Sequence, residues 1–272
     1  MKTLILISSL LVSLLSFGQI PKGGQRICGK EFAAYGAANM TYSQALDMAG
    51  QMHNDYQDYL LNELNVLKPD FTDTIALKRI VSAKSTAFFS ARGLQYDENF
   101  HSLDLAKPVT LELGLKENSF SREGYTLIQQ FQQQLKAYNI SDAAFITNLN
   151  GLKEQALNLS DGKEAFSVGV PISIAIHSYA YWQSNGQKWM DLFANQINTV
   201  NTTKGGPSAR ALGFEYIQKP VNLWHLGGAD AAGAIRGAMA GGLAGGVLVS
   251  AVASLGNLVN QVLSSLISWW PF

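Results

Sequence analysis

Cysteine is nearly absent from this chain: Cys28 stands alone among 272 residues. One thiol cannot close a disulfide within the chain or build a CxxC zinc or redox site, so neither staples nor a thiolate–metal cluster can explain stability or function. Charge is scarce too. Asp, Glu, Lys and Arg make up 15% of the residues, well below the roughly 25% of an ordinary soluble domain, which argues against disorder and for apolar burial or membrane contact. Twenty basic residues balance twenty acidic ones, so the basic footprint of a nucleic-acid binder is missing as well. No GxSxG, HExxH, P-loop or strand-linked GxGxxG occurs, and with them go the common signatures of nucleophilic, zinc and phosphate chemistry. The sequence therefore predicts no enzyme, no cofactor and no metal site.

What is present lies unevenly along the chain. Apart from Lys2, every charged residue falls between positions 20 and 236. At the front, Lys2 precedes an apolar run from Leu4 to Phe17, followed by Gly18 and Gln19. That order is the n-region, h-region and small-residue end of a secretory signal peptide, and the run is short for a bilayer span. Residues 1–19 are expected to be a leader, with the protein exported to a periplasmic, outer-membrane or extracellular location. The leader's end resembles those of exported Bacteroidota proteins, in which Gln often follows a small residue. Cys28 is expected to be a plain thiol, because the bulky Ile27 stands where a lipobox has a small residue.

The stretch from Gly237 to Phe272 has 36 residues and no Asp, Glu, Lys or Arg. Gly233, Gly237, Gly241 and Gly245 recur every fourth residue, and Gly242 and Gly246 belong to a second small-residue row beside them. Positions four apart share a helix face, so these rows form a smooth strip along which another helix can come close: a glycine zipper. Gly237–Gly256 is 20 residues long, about 30 Å as a helix and so enough for a bilayer core. Asn257–Trp270 then predicts an amphipathic second piece ending in Trp269 and Trp270, placed as interfacial anchors. The zipper predicts contact with a membrane or self-association; its alternative is a helical hairpin buried in a core. From Leu226-Gly227-Gly228 to Gly246 the sequence resembles the Gly-rich segments of class II bacteriocins, in which a double glycine precedes a helix with GxxxG steps. That resemblance implies membrane permeabilisation of competing cells.

The body predicts a mainly α fold, a helical bundle carrying the Gly/Ala-rich hairpin at its C-terminal end. Thr41 opens a helix burying Ala45, Ala49, Met52, Tyr56, Leu60, Leu64 and Leu67, which Pro69 stops. Asp73 caps a second, expected to bury Ile80, Ala83, Ala87 and Ala91. Ser121 opens a third through Tyr125, Ile128, Phe131, Leu135 and Tyr138, and Ser141 a fourth through Phe145, Leu149, Leu152 and Ala156. Pro171 fits the first turn of a buried helix over Ile172–Trp182, and Trp189, Phe193, Ile197 and Val200 mark another. Val109–Leu115 alternates as a short strand would. The expected organisation is a leader over 1–19, a helical domain over 20–200, a linker over 201–228 and glycine-zipper helices over 229–272.

Histidine offers little chemistry. Only His101 has potential ligands at helical spacing, Asp97, Glu98 and Asp104, and that group reads more simply as a solvated charge cluster. His53 and His177 fit satisfied polar positions in the bundle. Tyr179, Tyr181, Trp182 and Trp189 could stack a ring-shaped ligand, but core packing between helices accounts for them better.

Overall fold

The computed structural model describes residues 40–71, 73–94, 120–136, 142–203 and 223–267. These contain six helices: α1 (Tyr42–Leu67), α2 (Thr74–Ser90), α3 (Arg122–Lys136), α4 (Asp142–Leu157), α5 (Gly162–Thr203) and α6 (Leu223–Ile267). The chain is a mainly α helical bundle with a Gly/Ala-rich C-terminal hairpin. The strand expected at Val109–Leu115, the His101 cluster, Cys28, the leader, Tyr138, Trp269 and Trp270 lie outside the described residues.

Local signals set several of the boundaries. Thr41 closes a capping box on α1: its hydroxyl accepts from the Gln44 amide at 3.2 Å, while the Gln44 side chain accepts from the Thr41 amide at 2.8 Å. Two donors that the first helical turn leaves open are thereby satisfied. Lys68, ahead of Pro69, ends the helix in a left-handed conformation with φ 49°. Asp73 accepts from the Ala76 amide at 2.9 Å to start α2, and Ser121 accepts from the Gly124 amide at 3.1 Å to start α3.

Two faces differ from expectation. In α2, Ala83, Ala87 and Ala91 are exposed and Ile80 is half-buried, while Leu77, Val81, Ser85, Phe88 and Phe89 face inward. The larger side chains decide the rotation, because burying a Phe or Leu gains about 1.5–3 kcal/mol and exposing an Ala forfeits little. Leu67, at the end of α1, is 45% exposed.

α5 is also longer than expected. The helix expected over Ile172–Trp182 and the further one marked by Trp189, Phe193, Ile197 and Val200 are one helix of 42 residues, with Pro171 well inside it rather than in its first turn. Pro171 removes one helical N–H there. The cost is offset by surroundings that bury Val168, Val170, Ile172, Ile174 and Ala175. Asn201–Thr203, expected in the linker, form the last turn of α5.

α5 is the spine of the molecule. α1 runs parallel to it: Ser173 Oγ donates to the Leu46 carbonyl at 2.6 Å, and Asn54 donates to the His177 carbonyl at 3.2 Å. α4 runs antiparallel, so Asp142 at its start meets Tyr179 and Gln183. One apolar cluster joins α1, α2, α5 and α6 around Trp182, Trp189, Phe89 and Leu60; a second joins α3, α4, α5 and α6 around Phe131, Leu149 and Ile172.

α6 is helical over 45 residues but is not one straight rod. A Cβ added to Gly233 would stand 2.5 Å from the Val249 carbonyl oxygen and 2.8 Å from Ser250 Cα. Sixteen residues of straight helix would put those positions about 24 Å apart, so the chain reverses between them. Equal rise along both limbs places the turn near residue 241. The reversal thus falls among the glycines rather than at Asn257 as expected, and Gly237–Gly256 is not one straight span.

Candidate functional site

The hairpin meets α1 and α5 along a buried seam that carries most of the polar chemistry in the core. His53 and Gln57 lie one turn apart on the inner face of α1, Ser178 and Trp182 one turn apart on α5, and Asp230, Ser250 and Ser254 on the hairpin; none of these seven is measurably exposed. Their placement follows from helical spacing. Positions four apart stack on one face, so each helix presents a pair to the same neighbour.

Asp230 is the centre. Its Oδ2 accepts from Trp182 Nε1 at 2.8 Å and from the Ser178 hydroxyl. Its Oδ1 lies 3.2 Å from His53 Nε2, near enough for an ion pair but out of line for a hydrogen bond, so both atoms lack a hydrogen-bond partner. His53 Nδ1 is 3.1 Å from Asn54 Oδ1. One turn on, Gln57 Nε2 donates to Ser254 Oγ at 2.6 Å, and Ser254 in turn donates to the Ala251 carbonyl at 3.1 Å. Gln57 Oε1 and Ser250 Oγ have no partner.

Serine, aspartate and histidine thus stand together, but in an order that does not activate a nucleophile. A catalytic serine gives its proton to an imidazole that a carboxylate orients. Here the carboxylate sits between the two, Ser178 donates to it directly, and no member reaches solvent. The arrangement can fix three helices against one another; it offers no substrate a way in.

A second group is partly open to solvent. Asp47 on α1 accepts from Lys153 Nζ of α4 at 2.8 Å and lies 3.8 Å from His177 Nε2 of α5. Burial holds His177 below the ordinary imidazole value, against the pull of Asp47. The imidazole packs on Gly50, where any Cβ would overlap the ring, so glycine is what lets α1 and α5 close up at this level. Among the described residues no three His, Cys, Asp or Glu side chains group to hold a metal ion.

The aromatic residues are core. Trp182 and Trp189 are fully buried with ring centroids 5.9 Å apart, and Trp189 Nε1 donates to the Tyr181 hydroxyl at 3.0 Å. Burial pushes the Tyr181 phenol well above its ordinary range. Tyr179 donates to Asp142, and burial with that bond pushes its phenol up to about 12.

Of the glycines singled out in the sequence, Gly233 lies against the backbone of the returning limb and Gly237 and Gly246 are buried. Gly241, Gly242 and Gly245 lie on α6 where the surroundings of the side chains are outside the described set. Sequence reasoning missed the seam. Searching for ligands three or four residues from each histidine cannot find Asp230, which is 177 positions from His53; the one available signal was a lone Asp entering an otherwise charge-poor helix. Among the described residues no helix is long and apolar enough to cross a membrane. Comparison with protein families, with curated proteins and with solved structures finds no match.

Proposed function

We propose that this chain is an exported, non-catalytic helical protein with a binding or envelope-structural role, in which the Gly-rich hairpin is the packed centre of the bundle. The observation that carries this reading is Gly233. Its face is occupied by Val249 and Ser250 of the same chain, so at that level the small-residue strip is spent on an internal contact and is not offered to lipid or to a second copy. The limb before the turn is also short: residues 223–240 rise about 27 Å as a helix, less than a hydrocarbon core of roughly 30 Å.

Flotation with neutral and anionic vesicles tests the reading. The intact chain should stay in the dense fraction and release no trapped dye; co-flotation would overturn it. Export has its own test, since the mature protein recovered outside the cytoplasm should begin at Ile20.

The second reading is membrane association through the zipper, as a pore-forming or bacteriocin-like factor. It is favoured by the charge-free stretch from Gly237 to Phe272, which exceeds what a core requires. Dye release by the intact chain, lost in Gly237→Leu/Gly241→Leu, would support it.

A further inference from the structure

The same seam that seats the hairpin leaves its bonding incomplete. Among the described residues four buried side-chain atoms have no hydrogen-bond partner: His53 Nε2, Gln57 Oε1, Asp230 Oδ1 and Ser250 Oγ. All four lie where the hairpin meets α1 or where its own limbs meet. The interface of α4 with α5 is complete by comparison, with Asp142 accepting from both Tyr179 and Gln183. A buried polar atom without a partner is a standing cost that contact with water removes, so strain from unmade bonds is concentrated at the boundary of one element.

We propose that the hairpin is a releasable element that leaves the bundle as a unit while α1, α4 and α5 stay folded. Three features make α6 the element that opens. Its seat is polar, so opening rehydrates Gln57 Oε1 and Ser250 Oγ and lets water reach both ends of the imperfect His53–Asp230 contact. Its inward surface gives Leu226, Val247, Leu248, Leu255, Leu258 and Val259 to the first apolar cluster, but much of the rest is alanine, glycine and serine, including Ala229, Ala231, Ala232, Ala234, Ala251 and Ala253, which retain less apolar area per residue than the Phe and Trp side chains holding α1, α2 and α5. The α3–α4–α5 cluster draws only Ala231 and Ile235 from the hairpin, and most of its members remain packed when these go. This opening takes place in solution and goes beyond both functional readings above.

Native-state hydrogen exchange on the full chain, read by mass spectrometry, tests it without any membrane. Peptides covering 226–235 and 247–259 should exchange together, with protection at least about tenfold below that of α1 and α5. Ser250→Ala removes one unpartnered hydroxyl and should slow exchange of both limbs about tenfold, leaving α3 and α4 unchanged. Protection of the limbs equal to that of α1 and α5 would overturn the proposal, and so would a Ser250→Ala chain whose exchange is unchanged or slowed uniformly over all helices. Vesicle flotation is a separate readout, so failure of either functional reading leaves this result standing or falling by itself.

Discussion

At Gly233 a single hydrogen atom stands where any side chain would meet main chain, and main chain cannot rotate aside. Gly233→Ala should therefore lower stability by about 1–3 kcal/mol. Gly151, exposed on α4 with nothing within 4 Å of an added Cβ, is the control: Gly151→Ala should raise stability by about 0.4–1 kcal/mol. Urea denaturation of the two variants decides, and equal effects would mean that Gly233 is not a close contact. Asp230→Ala strips Trp182 and Ser178 of their shared acceptor and takes the carboxylate from beside His53, which should cost about 3–5 kcal/mol in the same measurement. His177 predicts a pH dependence. Its folded value lies below its unfolded one because burial disfavours the charged ring, so the unfolded chain binds a proton that the folded chain refuses, and stability falls as pH drops through the ordinary value of about 6.5. His177→Gln should flatten that part of the stability–pH curve. An unchanged slope would show that the ring is not effectively buried.

Helices show how far sequence carries. The α1 row from Ala45 to Leu64, the Thr41, Asp73 and Ser121 caps and the α4 row of Phe145, Leu149, Leu152 and Ala156 were legible because capping and period act within a few residues. The face of α2 was not. Its alanines and its Leu77–Val81–Phe88 row are both helical patterns, and only the neighbours decide between them. α5 ran past Pro171 and joined two expected helices for the same reason: packing along both sides of the spine outweighs a local breaking signal. The hairpin was anticipated but its turn was misplaced, since a reversal among glycines has no periodic signature. Exchanging the sizes on α2 gives the element-scale test. Leu77→Ala should cost about 2–5 kcal/mol, whereas Ala87→Ser, on the exposed face, should change stability by less than about 0.5 kcal/mol.

Across the whole molecule, two apolar clusters share one spine, because α5 contributes Trp182 and Phe193 to the first and Ile172 and Tyr179 to the second. The candidate seam is a whole-molecule feature as well, assembled from α1, α5 and both limbs of α6, which is why no window of sequence contained it. Sharing α5 should couple the clusters outside α6, so Leu60→Ala and Leu149→Ala, one in each, should each shift the main denaturation midpoint; independent midpoints by fluorescence and far-ultraviolet circular dichroism would show two folding units instead. The bond between Gln57 and Ser254 spans 197 positions of the chain. Contacts that distant form late, since the intervening loop must close before they are rewarded. A ribosome must therefore add 197 residues beyond Gln57 before α1 can meet Ser254, and until then the inner faces of α1 and α5 are left uncovered on that side.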